Sequence, residues 1–409
     1  MHVRRVAVTG VGILSPIGND LASFHKNLMN GVCGIDYITK FDTEEFKVKI
    51  AAEVKGFDPA VYMDKSEARR MDMFSQYAMA AAEQAVQDSG ISGTIETERL
   101  GVYVGSGIGG MDTFISMTEK LLNGGPRKVS PLFIPMMISN IAAGNIAIRF
   151  QAMGPCLPVV TACSTSTHAI GEAFHAIRHG YADAIIAGGA EAAINPLSIA
   201  GFTNSTALST RNEPLSSSIP FDLRRDGFVI GEGAAILVLE EYDRASARGA
   251  KIYGEIVGYG NTCDAHHITA PHPEAAGAAN SIKIALKEAG YQEEIKVYYN
   301  AHGTSTPLND KAETVALKRV FGDKAKEVHI SSTKSMTGHM LGAAGATEAI
   351  ACLLALSDQR IPPTIGYQEA DPDCDLNYTP NHAVDASIDL ALSTSLGFGG
   401  HNGTLAFRR

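Results

Sequence analysis

The stretch LPVVTACSTSTHAIGEAFHAIRHG, residues 157–180, contains the pattern that decides the fold class. Its first five residues, Leu157–Thr161, predict a short buried strand, and helical periodicity follows at once from Ser164 to His179. Gly180 is a typical residue for the end of such a helix. A strand that passes directly into a helix is the repeating unit of α/β proteins.

Similar strands and helices are predicted along the whole chain. The other predicted strands are Val3–Thr9 (ending at Gly10 and Gly12), Leu100–Val104, Ala184–Ala187, two pieces within Phe228–Glu240, Lys251–Tyr259, Lys296–Asn300, Val328–Ser332 and a final pair around Gly397–Asn402. The other predicted helices are Glu67–Ser89, Met111–Leu122, Tyr242–Arg248, Glu274–Ala289, Asp310–Val320 and Leu341–Leu356. This alternation indicates buried sheets covered by helices. The segments after residue 250 repeat the earlier order coarsely without an intervening linker, so we predict two similar halves, residues 1–250 and 251–409, in one body.

Composition excludes several classes of protein. The 409 residues include 34 Lys and Arg and 44 Asp and Glu, and the net charge of −10 argues against a general binder of nucleic acid or membrane surfaces. The six cysteines form no CxxC pair, which argues against a zinc site or a disulfide framework. We expect no signal peptide, and we expect no membrane span since Asp183 and Glu191 interrupt the best apolar run. We predict a cytoplasmic protein with free thiols.

Cys163 is the candidate nucleophile. It lies where the predicted strand meets the helix, and the unpaired N–H groups and dipole of a helix N-terminus favour a thiolate. The alternative for any free cysteine is an inert place in the core, and Cys263 is undecided. The inert role is expected for Cys33, Cys156, Cys352 and Cys374.

Two histidines in turns rich in Gly and Thr are the candidate partners of this thiol. His302 lies in Asn300–Thr306 and His339 ends Ser332–His339. A lone histidine at a strand end is more often structural, but two in such turns favour a function. A thiolate can hold an acyl group, and two neutral imidazoles can donate hydrogen bonds to an enolate oxygen. Loss of CO2 from a malonyl thioester would generate that enolate without a metal or a redox cofactor.

Four separated motifs resemble those of the β-ketoacyl-[acyl-carrier-protein] synthases. They are Thr161–Ser164, Asn300–Thr306, Lys334–His339 and Gly397–Gly400, and the resemblance covers essentially the whole chain. It implies the thiolase-like fold, an α/β body of two similar halves in five layers, αβαβα. It also implies decarboxylative condensation of malonyl-[acyl-carrier protein] with an acyl-enzyme, without a cofactor or metal.

The resemblance implies a role for each catalytic residue. Cys163 would take the acyl group, and His302 and His339 would bind the malonyl carbonyl, with their proton-transfer roles undivided. The resemblance also implies supporting roles: Lys334 would keep His302 neutral, Glu348 would be a buried structural or water-holding carboxylate, and Phe398 would act as a gate and share the oxyanion hole with the N–H of Cys163.

The resemblance further implies the substrate contacts. Thr304 and Thr306, with Thr269, would bind the phosphopantetheine arm. Ile108 and Phe202 would line the acyl pocket, and Phe133 would reach the pocket of the other subunit of a homodimer; ordinary packing is the alternative for these three. Carrier-protein docking, as opposed to an ordinary solvated face, would use Lys65, Arg69, Arg70, Arg127 and Lys128.

Two departures from the common family pattern concern gating and substrate preference. The first is the run Ser164–His168. The second is His401, which has either a structural role or a contact with the gate.

Other classes of protein remain as alternatives. Gly105, Gly107 and Gly110 have the spacing of a dinucleotide-binding loop, but no second strand with a terminal acid follows. A polyketide-type ketosynthase shares the same motifs. A non-catalytic chain-length partner subunit typically lacks the nucleophile, and the paired histidines argue against thiolases and the synthase III type.

Overall fold

The computed structural model describes residues 3–409, in which strands and helices alternate as predicted. The strands are β1 Val6–Leu14, β2 Asp36–Tyr37, β3 Ile50–Ala51, β4 Leu100–Gly105, β5 Ala184–Glu191, β6 Gly233–Glu241, β7 Gly254–Cys263, β8 Val297–Asn300, β9 His329–Ser331, β10 Arg360–Ile361, β11 Val384–Asp385, β12 Leu390–Gly397 and β13 His401–Arg408. The helices are α1 Leu21–Met29, α2 Lys65–Ala68, α3 Met73–Ser89, α4 Met111–Gly124, α5 Phe133–Met137, α6 Ile141–Phe150, α7 Thr165–Arg178, α8 Pro196–Asn204, α9 Tyr242–Ala247, α10 Ala276–Glu288, α11 Pro307–Phe321, α12 Lys334–Thr337 and α13 Ala344–Asp358. Short 3₁₀ helices cover Pro59–Val61, Thr97–Arg99, Pro126–Lys128, Ala162–Ser164, Gly322–Glu327 and Leu341–Ala343.

The main sheet repeats one pairing pattern on its two sides. Within residues 3–409 it has nine strands in the order β4-β5-β6-β1-β7-β13-β12-β8-β9. On one side β4 and β5 are parallel and the next two pairs are antiparallel; on the other side β8 and β12 are parallel and the next two pairs are again antiparallel. β1 and β7 join the sides through only three residue pairs, Val6–Val8 with Gly254–Ile256. This arrangement confirms two similar halves, while a division between residues 250 and 251 stays a prediction.

Helices cover both faces of each half and complete the five layers. α7 and α13 pack against each other between the halves, with α7 also on β4 and β5 and α13 on β12. α3 and α6 cover the outer face of one half, and α10 and α11 cover that of the other. The predicted αβαβα body is therefore confirmed, and its middle layer carries the nucleophile.

One segment contradicts the expectation that no apolar run is long enough to cross a membrane. Of the described residues, only Leu341–Asp358 meets that test, with a mean hydropathy of 1.3 over 18 residues. However, 89% of this segment is buried inside the protein. It is the core helix α13 with the turn before it, and its composition follows from its place in the middle layer.

Two glycines predicted to end the first strand lie inside it. A Cβ at Gly10 would lie 2.2 Å from the carbonyl oxygen of Ala85, and one at Gly12 would lie 2.0 Å from that of Ala81. Because α3 approaches the backbone of β1 this closely, both positions require glycine. The predicted end of the strand at these glycines is wrong, since they mark helix packing.

The predicted helix Glu67–Ser89 is two helices. α2 ends before Asp72, whose side chain accepts a hydrogen bond from the N–H of Phe74 at the start of α3. Aspartate is a favoured residue at a helix N-cap. The capping residue Asp72 therefore divides the predicted helix into α2 and α3, although the helical periodicity continues across it.

The predicted strand Leu157–Thr161 is also wrong. The N–H of Leu157 donates to the carbonyl of Val102 at 3.0 Å, so the segment begins to pair beside β4. Pro158 follows and has no N–H to continue the ladder. The chain then runs irregularly to the 3₁₀ turn that precedes α7, and the predicted helix Ser164–His179 is confirmed as Thr165–Arg178.

Candidate active site

A strained corner presents Cys163 at the start of the central helix α7. Cys163 lies in the 3₁₀ turn Ala162–Ser164, directly before that helix. Ala162 has φ 50°, in the left-handed region that costs energy for a residue with a Cβ. Such strain is typical of functional corners, where the surrounding structure holds a side chain in one direction.

Burial sets the ionisation of the Cys163 thiol. It raises the pKa to about 12, whereas the Lys334 ammonium and the backbone N–H of Phe398 lower this pKa by less, and Glu191 adds to the increase. The expected thiolate at a helix N-terminus is therefore wrong for the free protein, because desolvation outweighs the dipole. With its pKa raised in this way, the thiol carries its proton at neutral pH.

The structure brings His302 and His339 to this thiol. His302 follows β8, and His339 lies between α12 and α13. The Sγ of Cys163 and a ring nitrogen of each histidine all lie within 4.8 Å of one another. The two imidazole planes are nearly perpendicular, at 86°, with centroids 5.2 Å apart. One small group can therefore contact both imidazoles and the thiol together.

Both histidines are neutral and have free ring nitrogens. Burial, followed by the charge of Lys334, lowers the pKa of each imidazole well below its usual value, and His339 lowers that of His302 further. Among the described residues, nothing partners Nδ1 of His302 or either ring nitrogen of His339, although these atoms are buried. Buried polar groups are normally hydrogen-bonded, so these atoms point to a missing substrate group or water.

Lys334 and Glu348 form a buried ion pair beside the histidines. Burial raises the pKa of Glu348 to about 7 although Lys334 lowers it. The second carboxylate oxygen of Glu348 is buried without a partner in the described chain. The predicted closeness of Lys334 to His302 agrees with its effect on that imidazole.

Glu313 holds the His302 turn and was missed from the sequence. Its carboxylate accepts hydrogen bonds from the N–H groups of His302 at 2.7 Å and Gly303 at 2.8 Å, and from the hydroxyl of Tyr299 at 2.8 Å. Burial raises the pKa of Glu313 to about 7. One feature of the sequence could have indicated its burial: Glu313 lies on the same face of its helix as Ala316, which is buried.

The turn Gly397–Gly400 lies over the thiol between β12 and β13. The backbone N–H of Phe398 faces the sulfur of Cys163 and acts on its pKa, while the Phe398 side chain is 37% exposed. Gly399 and Gly400 have φ of 88° and 79°, which glycine adopts without cost. His401 follows, and a Cβ at Gly399 would lie 3.1 Å from its imidazole.

The hydroxyls that follow Cys163 connect α7 to its surroundings. Each makes a hydrogen bond to a different residue. Ser164 donates to the carbonyl of His401 at 2.9 Å, Thr165 accepts from the N–H of Thr161 at 2.9 Å, Ser166 accepts from the N–H of Ala346 at 2.9 Å, and Thr167 shares a hydrogen bond of 2.7 Å with Ser395. The fold therefore holds these four hydroxyls in place, and three of their bonds reach the second half.

A cavity of about 580 Å³ opens onto the thiol and both histidines. All of the predicted substrate contacts except Phe133 line this cavity, as does the gate residue Phe398. The lining contacts are Thr269, Thr304 and Thr306 of the predicted arm site and Ile108 and Phe202 of the predicted acyl pocket. The hydroxyls of Thr304 and Thr306 share a hydrogen bond of 3.0 Å. Phe133 lies half-buried on α5, outside this lining.

The predicted docking residues are on the surface and do not line the cavity. Lys65, Arg69 and Arg70 are exposed in and after α2, and Arg127 and Lys128 are exposed in a 3₁₀ turn. None of the five forms an ion pair within residues 3–409. Their charges are available to a partner.

A buried carboxylate of the protein itself binds the N–H groups of the glycine-rich loop after β4. Glu191 accepts hydrogen bonds from the N–H groups of Gly107 at 2.8 Å and Ile108 at 3.3 Å and from the hydroxyl of Ser106 at 2.7 Å. A pyrophosphate would need these same N–H groups. The buried carboxylate therefore argues against a dinucleotide-binding loop.

A cysteine at the start of a central helix, two neutral histidines at one cavity and a doubled αβαβα body define a condensing enzyme of the thiolase-like fold. The chain belongs to the β-ketoacyl synthase family. A family model described as "Beta-ketoacyl synthase, N-terminal domain" matches residues 3–245, and one described as "Beta-ketoacyl synthase, C-terminal domain" matches residues 253–368.

Curated relatives match over nearly their whole length. The chain is 51% identical to "3-oxoacyl-[acyl-carrier-protein] synthase 2" of Staphylococcus aureus (strain COL), covering 99% of this chain and 98% of the relative. It is 50% identical to the protein of the same name from Synechocystis sp., covering 100% and 99%.

Solved structures share the fold. The ishigamide ketosynthase/chain length factor has a TM-score of 0.92 at 38% identity, and a β-ketoacyl synthase from Burkholderia phymatum has 0.92 at 36%; each comparison covers 99% of both chains. A type II polyketide synthase ketosynthase, in complex with its acyl-carrier protein and bound to the hexaketide, has 0.91 at 36%, covering 100% of this chain and 99% of that one.

Proposed function

We propose that this enzyme elongates fatty acyl chains by two carbons through decarboxylative condensation of malonyl-[acyl-carrier protein]. The observation that carries the proposal is the meeting of one thiol and two neutral imidazoles within 4.8 Å at the cavity. The names of the relatives at 50–51% identity support the same reaction.

In the first step, Cys163 takes the acyl group from a carrier protein. Its sulfur bonds to the thioester carbonyl carbon, and the bond from that carbon to the pantetheine sulfur breaks. The thiol proton leaves with the pantetheine, passed by a neutral imidazole. The backbone N–H groups of Cys163 and Phe398 stabilise the oxyanion, and the pantetheine departs as a thiol.

In the second step, His302 and His339 donate hydrogen bonds to the thioester carbonyl of the malonyl group. The bond to the carboxylate breaks, CO2 departs, and the electron pair forms the enolate that these donors stabilise. The enolate carbon attacks the acyl carbonyl and the sulfur of Cys163 leaves. One proton from solvent restores the thiol, whose high pKa favours its return.

Lys334 and Glu348 support this chemistry from behind the histidines. The Lys334 charge disfavours imidazolium and so keeps the ring nitrogens free for substrate. Glu348 neutralises the buried ammonium. Phe398, between glycines, is the gate that admits acyl and malonyl groups in turn.

The carrier protein docks at the positive residues outside the cavity, and its arm enters past Thr269, Thr304 and Thr306. Lys65, Arg69, Arg70, Arg127 and Lys128 supply the patch that an acidic partner needs on a chain of net charge −10. The complex of a similar ketosynthase with its acyl-carrier protein supports a carrier protein as the partner.

Apolar side chains on α4, α5 and α6 support a homodimer. Leu122 is 79% exposed, Ile134 54% and Ile148 72%, on helices that pack α4 to α5 and α5 to α6. Exposed apolar groups on neighbouring elements mark an interaction surface. Phe133, beside Ile134, then reaches the partner's cavity. We place the enzyme in the cytoplasm, since all six cysteines are free thiols.

Elongation assays test the proposal. Cys163→Ala should abolish β-ketoacyl formation from purified acyl- and malonyl-carrier protein, whereas Cys156→Ala, at an exposed cysteine, should keep it. A Cys163→Ala variant that still elongates would contradict the proposed nucleophile. A wild-type protein that does not elongate at all would fit a non-catalytic partner subunit. A wild-type enzyme that condenses only with β-keto intermediates, and not with saturated acyl chains, would make it a polyketide-type ketosynthase, as one of the structural relatives is.

A further inference from the structure

Glu191 joins the acyl-cavity loop to the loop that follows His339. It is the last residue of β5 and is fully buried. Besides the three donors of residues 106–108, its carboxylate accepts a hydrogen bond from the N–H of Gly342 at 3.0 Å. One side chain therefore holds two loops that both line the cavity.

No cation balances this carboxylate. Throughout residues 3–409, Glu191 forms no ion pair, and backbone N–H groups and one hydroxyl take the place of a cation. A buried charge held in this way costs stability, and a neutral apolar residue would fill the space with less cost. The arrangement therefore needs a reason beyond folding.

The two loops touch directly where Glu191 holds them. A Cβ at Gly342 would lie 2.4 Å from the backbone nitrogen of Gly107 and 2.8 Å from the Glu191 carboxylate. Ile108, whose N–H is bound by Glu191, lines the cavity and is 38% exposed. A shift of the loop would therefore move an apolar side chain relative to the acyl group.

We infer that Glu191 is a positioning residue that fixes Ile108 and thereby sets the length of acyl chain that the cavity accepts. The inference rests on the proposed function and deepens it. With the carboxylate removed, the loop is released, and the side chain of Ile108 moves into the apolar cavity because this buries it. The cavity becomes shorter, so kcat/KM falls more for long acyl groups than for short ones.

Transfer from carrier protein to Cys163 should be measured for acyl chains of eight and sixteen carbons, with Glu191→Gln and the wild type. Glutamine keeps the shape but faces two of the four donors with its own amide N–H, whichever way the amide is turned. We expect the ratio of kcat/KM for the long chain over the short chain to fall about tenfold, the usual scale for a lost hydrogen bond to a charged group.

Two further variants make the result decisive. Glu240→Gln changes a buried carboxylate on the neighbouring strand that is paired with Arg244 and Arg248, and it should leave the ratio unchanged. Ser106→Ala removes one donor to Glu191 and should lower the ratio in the same direction by less. If Glu191→Gln does not fold, the ratio measured for Ser106→Ala tests the inference in its place.

A ratio that rises or stays within about twofold of the wild type would overturn the inference. Failure of the proposed function would show differently, because the wild type itself would then not condense acyl and malonyl groups. The two failures are therefore separable in one set of assays.

Discussion

The Lys334 ammonium and the Glu348 carboxylate form an ion pair in which the two side chains are only 1% and 2% exposed. Lys334 also lowers the pKa values of Cys163 and of both histidines. The pair therefore belongs both to the core and to the electrostatics of the cavity.

Breaking this pair should separate stability from catalysis. Glu348→Leu leaves the Lys334 charge buried without a partner, so we expect it to lower the free energy of unfolding by about 3–5 kcal/mol. The double variant Lys334→Met/Glu348→Leu removes both charges and should recover most of that loss in urea denaturation. Its condensation rate should stay low, and a double variant of normal activity would refute the role of Lys334.

The thiol of Cys163 should react slowly at neutral pH. With its pKa raised by burial to about 12, the alkylation rate by iodoacetamide should increase about tenfold per pH unit from pH 7 to pH 10, because only the thiolate reacts. Exposed Cys156 and Cys263 serve as internal controls, and peptide mass spectrometry separates the sites. A plateau of the Cys163 rate below pH 9 would contradict the high pKa.

Burial of the neutral histidines should make the fold sensitive to acid. Their folded-state pKa lies well below the usual 6.5, so below that pH the unfolded chain binds protons that the folded chain does not. The stability is fully present above pH 6.5 and falls below it, by about 1.4 kcal/mol per pH unit for each histidine.

Urea titrations between pH 7 and pH 5 check this dependence. His339→Gln should show a shallower loss of unfolding free energy than the wild type. His382→Gln, at an exposed histidine, should follow the wild type. Equal slopes for the wild type and His339→Gln would show that His339 accepts a proton while folded.

The gate turn should tolerate alanine less well than an open turn. Gly399 has φ 88° and its Cβ would meet His401 at 3.1 Å, whereas Gly290 has φ 64° with nothing within 4 Å. Both alanine variants should lose about 1–2 kcal/mol of unfolding free energy to backbone strain. Only Gly399→Ala should also slow condensation in the elongation assay, and an equal loss of activity at Gly290 would contradict a local effect.

Charge reversal should identify the docking patch. Lys65→Glu and Arg127→Glu should raise the KM for acyl-carrier protein about tenfold at low salt, with a difference that narrows as salt screens the charges. Lys283→Glu, at an exposed lysine on α10, is the matched control. A KM that responds equally to all three changes would indicate a general charge effect.

The fold class and the reacting residues could be predicted because their signals are local. Helical periodicity identified α7 and α13, and a thiol at a strand-to-helix corner needs only neighbouring residues for its recognition. The predicted strand before Cys163 failed because Pro158 ends its pairing, although the apolar pattern continues.

The carboxylates that hold the loops could not be predicted, because their partners are backbone N–H groups distant in the chain. Glu191 accepts a hydrogen bond from the N–H of residue 342, and the apolar run around this glutamate can indicate its burial but not this partner. The prediction of a thiolate at Cys163 failed for a related reason. A helix terminus is visible in the sequence, whereas the larger effect of desolvation depends on all the elements that enclose the sulfur.

The hydroxyls after Cys163 have a consequence for dissecting the protein. They fasten the helix of the first half to β12, β13 and α13 of the second, which also supplies both histidines. A backbone nick at the exposed Gly249 would yield one fragment with the thiol and another with the imidazoles. Neither fragment alone would condense anything, and turnover regained on mixing them would report their reassembly.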